Sequence, residues 1–226
     1  MGYHIDTALI YDKFKVDCEC PLCEIRKEAE KQFLYEFLND AVMEENTRAK
    51  VNQKGFCKTH FDMLFKRQNK LSLALQLSTI YSENILDNIK VIGDKKQAKK
   101  QTEYLEKFEK TCVVCELLDE SMEKYYKTIA QLFNKEKEFT TLFKNSKGFC
   151  LEHYKELLKH SNSAGLRQKD YLLSLSKVMT DNLERVYKEV LIFCDSHDYR
   201  NAFKPLGSAE TSVVRTGVKF YGKKYE

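Results

Sequence analysis

The sequence is poor in the residues that break helices, and it has no long apolar run. Two Pro and eight Gly in 226 residues are too few for the turns of a β-sandwich or barrel. Lys, Leu and Glu dominate, a bias that favours helix. No stretch approaches the roughly 18 apolar residues of a membrane span. The opening MGYHIDTALIYDKFKV places Asp6 and Asp12 where a signal peptide carries a basic flank and an apolar core. Asp6 also stands where myristoylation at Gly2 wants Ser or Thr. These absences predict a cytoplasmic chain with no membrane partner. Phosphate loops, dinucleotide fingerprints, HExxH and nucleophile elbows are missing as well. A net charge of +4 is too mild to argue for nucleic acid by itself.

What the chain does have is eight cysteines. Cytoplasmic thiols stay reduced, so they need a reason other than disulfides. Most of them fall in a repeat. NQKGFCKTHF (52–61) is answered by NSKGFCLEHY (145–154), and CPLCE (20–24) by CVVCE (112–116). Thirty-three residues separate Cys23 from Cys57, and thirty-four separate Cys115 from Cys150. Further on, Leu77–Asn84 echoes Leu175–Asn182. The offset grows from 92 to 93 to 98, as a gain of a few residues around Ser161 to Gly165 would produce. The period is far too long for a solenoid.

Each copy reads as helix. Ile25, Ala29, Phe33, Phe37 and Ala41 recur every four residues, and Leu118, Met122, Tyr125, Ile129 and Phe133 every three or four in near register. Short helices are expected before each KGFC, with Gly55 and Gly148 in the left-handed position that ends them. Long helices are expected over 70–92 and 166–193. Gly93 to Lys100 reads as a basic linker. Ser208 reads as the cap of a last helix running to Phe220.

The spacing has a chemical reading. Pro21 suits the first position of a helix, which makes Cys20 its N-cap and Cys23 its third residue. Cys57 and His60, three apart on another helix start, share one face. The positive end of a helix dipole favours thiolate, the metal-binding form. Cys20, Cys23, Cys57 and His60 would thus form one tetrahedral Cys3His set. Cys112, Cys115, Cys150 and His153 would form the second. Zn²⁺ is the expected ion at both sites, with an iron–sulfur cluster as the alternative. Against these stands the plainer reading of Cys as a small buried hydrophobe, which leaves the repeated His unexplained.

Other features carry less. Cys18 has no counterpart at Lys110. Cys194 and His197 form a CxxH without a second pair, and His4 and His160 stand alone. Ser78, Ser82, Asn84, Ser176, Thr180 and Asn182 read as polar bonding between helices. The tail mixes Arg200, Lys204, Arg215, Lys219, Lys223 and Lys224 with Phe203, Phe220, Tyr221 and Tyr225. It reads as aromatics packed on the body with lysines left in solvent.

CPLCE, the duplicated KGFCxxH and the DYRN segment at 198–201 together resemble a bacterial family of unknown function found in anaerobic Gram-positive organisms. The resemblance covers nearly the whole chain and implies an all-helical, duplicated metal-binding protein, with no activity attached. One departure is Val113, which stands where the first knuckle has Pro21.

The reading is therefore an all-α chain made of two related units from an internal duplication, each with a Cys3His metal site. The units are 1–94 and 95–198, with a tail over 199–226 whose short helix packs on the body. Four protein ligands leave no open coordination position, which leans away from an enzyme. A binding or scaffold module with a protein partner is expected. An iron–sulfur or thiol redox protein, or a nucleic-acid binder using Lys95–Lys100 and the tail, are the rivals.

Overall fold

The computed structural model describes residues 7–39, 44–198, 200 and 205–223. Among them no strand occurs. The helices are α1 (Thr7–Lys15), α2 (Pro21–Leu38), α3 (Glu45–Lys54), α4 (Lys58–Phe65), α5 (Lys70–Ile80), α6 (Leu86–Asn88) and α7 (Lys95–Glu109). They continue with α8 (Val113–Lys135), α9 (Lys137–Asn145), α10 (Leu151–Lys159), α11 (Gln168–Asp195) and α12 (Ser212–Tyr221). A wide π turn, Tyr81–Ile85, joins α5 to α6, and tight 3₁₀ turns at Ser161–Arg167 and Gly207–Thr211 precede α11 and α12. No described helix is long and apolar enough to cross a membrane.

The chain divides into two compact units that do not follow its linear order. One comprises Met1–Lys27 with Met122–Glu226, the other Glu28–Ser121. The boundaries at 94 and 198 mark the sequence repeat, and each compact unit draws on residues from both copies.

The first unit has an aromatic core. Phe133, Phe139, Phe143, Phe149 and Tyr171 are fully buried. Phe14 meets Phe139 edge-on at 5.0 Å, and Phe133 meets Tyr171 at 5.3 Å. Each such side chain contributes about 1.5–3 kcal/mol by leaving water. The second unit is more aliphatic, with Leu34, Phe37, Val51, Leu64, Leu73, Val114 and Leu118 buried together. The Phe of each KGFC joins the local core. Phe149 sits among the aromatics of the first unit, and Phe56 packs edge-on against Phe37 at 5.8 Å in the second. Burying the residue next to a ligand cysteine fixes where that cysteine points.

The glycines of KGFC meet the expectation only in part. Gly55 caps α3 at positive φ (62°) but with ψ −158° rather than left-handed helical ψ, whereas α9 is capped by Ser146 and Gly148, at φ 80°, lies two residues beyond that cap. The repeated asparagines do bond between segments. Asn84 Nδ2 donates to Asn52 O (2.7 Å), and Asn182 Nδ2 donates to Ser146 O (3.3 Å). Ser78 and Ser82 instead donate within their own helical segment, to Leu75 O and Thr79 O.

Three expectations need correction. The basic run from Lys95 to Lys100 is not a linker but the opening of α7, because Asp94 caps it by accepting from Lys96 N (2.8 Å) and Gln97 N (2.9 Å). Ser208 lies inside a 3₁₀ turn and donates to Glu189 Oε1 (3.1 Å), so it does not cap α12. In the tail the expected burial is reversed. Lys219 is completely buried, while Phe220 and Tyr221 are exposed. Gly2, His4, Asp6, Ala41, Tyr199, Asn201, Phe203, Lys204, Lys224 and Tyr225 lie outside the described residues.

Candidate metal centres

All eight ligand candidates sit at helix starts. Cys20 precedes α2 and Cys112 precedes α8, and their carbonyls accept from Cys23 N (3.1 Å) and Glu116 N (3.1 Å). Cys57 and Cys150 are the N-caps of α4 and α10, both extended at ψ 162°. Cys23, Cys115, His60 and His153 each fall at the third helical position. Every candidate group therefore lies where the partial positive charge of a helix start favours an anion.

The structure brings these residues together in two sets, but not in the expected pairs. Cys20 and Cys23 meet Cys150 and His153, while Cys57 and His60 meet Cys112 and Cys115. Each CxxC is completed by the CxxH of the other sequence copy. Helix length explains the crossing. At 1.5 Å per residue, the 18 residues of α2 run about 27 Å, and the return helix α3, with 10 residues, covers only about 15 Å. His60 accordingly reaches α2 at Glu30, about 14 Å along the helix from Pro21. The second copy repeats the problem, with 23 residues in α8 against 9 in α9.

In the first centre, His153 Nδ1 lies 3.4 Å from Cys20 Sγ, 3.5 Å from Cys23 Sγ and 3.1 Å from Cys150 Sγ. Cys23 Sγ and Cys150 Sγ are 3.9 Å apart. In the second, His60 Nδ1 lies 3.2 Å from Cys57 Sγ and 3.3 Å from both Cys112 Sγ and Cys115 Sγ. Cys57 Sγ and Cys115 Sγ are again 3.9 Å apart. Within each set every ligand atom lies within 4.8 Å of the others. A tetrahedral ion with metal–sulfur bonds of about 2.3 Å and a metal–nitrogen bond of about 2.0 Å places sulfurs about 3.8 Å apart and sulfur about 3.5 Å from nitrogen. Both sets could hold a metal ion.

The surroundings differ. In the second centre, His60 Nε2 faces Glu30 Oε1 at 3.1 Å, a carboxylate that orients the ring with Nδ1 toward the sulfurs. The register equivalent of Glu30 is Met122, buried in the first unit. Val113 N donates to Gly55 O (3.1 Å), and Thr111 Oγ1 donates to Lys54 O (2.8 Å), tying the two halves of the second centre directly. Pro21 stands at the register equivalent of Val113 and has no N–H to give. There the tie comes from Lys219, whose Nζ donates to Glu19 O (2.8 Å) and to Lys147 O.

Proton affinities follow these contacts. Hydrogen bonding with Cys150 pushes Cys23 up to about 12, while Cys20 is raised well above the ordinary thiol value, mainly by burial. Cys150 is held far below that value by hydrogen bonds from Cys20 and Cys23, with His153 adding to them. In the second centre, burial and the neighbouring Cys112 and Cys57 push Cys115 far up. Burial opposes charge on Cys112 and on His60, yet their mutual hydrogen bond wins. Cys112 falls to about 6 and His60 rises to about 10, Glu30 adding to the latter.

The remaining candidates stay outside both sets. Cys18 is half-buried and Cys194 is exposed. His197 Nδ1 bonds Phe193 O (3.0 Å), and His160 stacks on Tyr126 at 5.7 Å. Glu30 and Lys219 are the residues that sequence reasoning missed. For Lys219 the signal was Pro21, which removes a donor that the second centre uses.

The chain belongs to DUF6062, a family of unknown function, whose model matches residues 1–226. No curated protein and no solved structure shows a match to it.

Proposed function

We propose that this chain is a zinc-stapled helical scaffold, a binding module whose two Cys3His centres hold structural Zn²⁺. The observation that carries this reading is the ligand spacing. Sulfur–nitrogen distances of 3.1–3.5 Å and sulfur–sulfur distances of 3.9 Å suit one tetrahedral ion in each centre. An iron–sulfur cluster interposes several iron and sulfide atoms between its ligands and needs its cysteines wider apart. Three thiolates and one imidazole complete four-coordination, which supports a structural role over a catalytic one. Exposed apolar residues on the second unit, Leu71, Leu75 and Leu86 among them, support a protein partner.

The test is metal analysis with an absorption spectrum on protein purified without oxygen and without a His-tag. About two zinc per chain and a featureless visible spectrum are expected. Iron with sulfide and a broad visible band would replace this reading with redox chemistry.

A further inference from the structure

The two centres have the same ligands but not the same cover. Cys20, Cys23, Cys150 and His153 are all buried, whereas Cys57 and Cys115 are only half-buried. The cover of the first centre is the C-terminal segment. A Cβ placed on Gly222 would stand 3.7 Å from Cys23 Sγ and 3.8 Å from Cys150 Sγ, so the backbone there lies directly on the sulfurs. Gly222 holds φ 73°, a conformation open to glycine. The next amide, Lys223 N, points at Cys23 Sγ at 3.5 Å.

Lys219 fastens this cover. Its ammonium, one turn before Lys223, reaches the carbonyls of Glu19 and Lys147, the segments that lead into Cys20 and Cys150. It also lies 3.1 Å from Glu19 Oε2, which pairs with Arg185 Nη2 at 2.6 Å. A buried lysine needs such partners. Beside a centre of three thiolates and one divalent ion, which carries a net negative charge, a buried ammonium is also a counter-charge.

We infer that Lys219 and the Gly222–Lys223 backbone form a strap that locks metal into the first centre, leaving the second as the exchangeable one. This rests on metal occupancy at both centres, as proposed above. A chelator must displace thiolates one at a time. In the second centre Cys57 and Cys115 are open to that approach. In the first, the strap must lift before any sulfur is reached. The pair thus divides the work, with one ion fixed and the other available to a competing thiol or chelator.

The experiment is stopped-flow release of zinc from the loaded full-length chain into excess chromophoric chelator. Two phases of equal amplitude are expected, one fast and one slow. Lys219→Met and, separately, Lys223→Pro, which removes the amide facing Cys23, should speed the slow phase about tenfold or more and leave the fast phase unchanged. Lys223→Ala keeps that amide but removes the ion pair of Lys223 Nζ with Glu24 Oε1 (2.8 Å), so it should speed the slow phase less than Lys223→Pro and leave the fast phase unchanged. A single phase from a chain shown to hold two zinc would overturn the strap, as would a slow phase indifferent to both variants or a fast phase that shifts equally with the slow one. A starting content below two zinc would overturn the occupancy reading instead.

Discussion

Glu30 Oε1 lies 3.1 Å from His60 Nε2, on the side of the ring opposite the three sulfurs of the second centre. The carboxylate fixes the tautomer, since a ring that donates from Nε2 keeps Nδ1 free as a ligand. Glu30→Gln should weaken metal binding at this centre about 10- to 100-fold and leave the first centre unchanged. Competition against a chelator of known affinity, resolved into two sites, is the check. Equal weakening of both sites would contradict the assignment.

The crossed ligand sets make a sharper prediction. Cys23→Ser and Cys150→Ser remove ligands from one centre, so each single variant and the double variant should all retain about one zinc per chain. Cys23→Ser with Cys57→Ser removes a ligand from each centre and should retain about none. Pairing within each sequence copy demands the reverse pattern, with Cys23 and Cys57 acting as one site. Metal analysis of the purified variants decides between them.

Metal affinity should rise with pH. Binding requires Cys20 and Cys23 to lose protons that their raised affinities retain at neutrality, and the same holds for Cys115 and for the second proton of His60. Cys112 is already a thiolate at neutral pH, since its value lies at about 6. As pH falls through that value it too takes up a proton, so affinity at the second centre should fall more steeply there. Chelator competition across a pH series, with proton release followed by an indicator, measures both effects. An affinity flat with pH would show that the metal does not displace these protons.

Gly55 should be less replaceable than Gly148. Both have positive φ, and Gly55, at ψ −158°, lies in a region almost confined to glycine, so alanine at either costs about 1–3 kcal/mol in strain. At Gly55 an added Cβ would also stand 2.9 Å from Phe108 Cζ, whereas at Gly148 the nearest atom is 3.5 Å away. Gly55→Ala should therefore lower stability further, and Phe108→Leu should recover part of that extra loss. Thermal unfolding of the zinc-loaded variants is the measurement.

The helical class, the helix starts that carry the ligands and all eight ligand candidates were legible because each depends on local sequence. Pro21 sets a helix start, Gly55 sets a stop, and CxxC or CxxH presents two groups on one turn. Ligand pairing was not legible, because it depends on whether α3 retraces α2, and that is settled by how much of segment 44–57 is helical. Ten helical residues shorten that return to about half of what the expected pairing needs. Lys219 was illegible for a related reason. Its partners are carbonyls 72 and 200 residues away, and backbone acceptors leave no mark in a sequence.

The crossed sets also impose an order on synthesis. As the chain leaves the ribosome, Cys57 and His60 emerge while the only other ligands available are Cys20 and Cys23, their wrong partners. The right partners for the second centre arrive with Cys115. The first centre waits until His153, and its strap until Lys223. A metal captured too early would join the wrong knuckles, and it would have to be surrendered before the native helices could close. Newly made chains are therefore best served by metal that arrives late, or by a thiol buffer that lets early ligands let go.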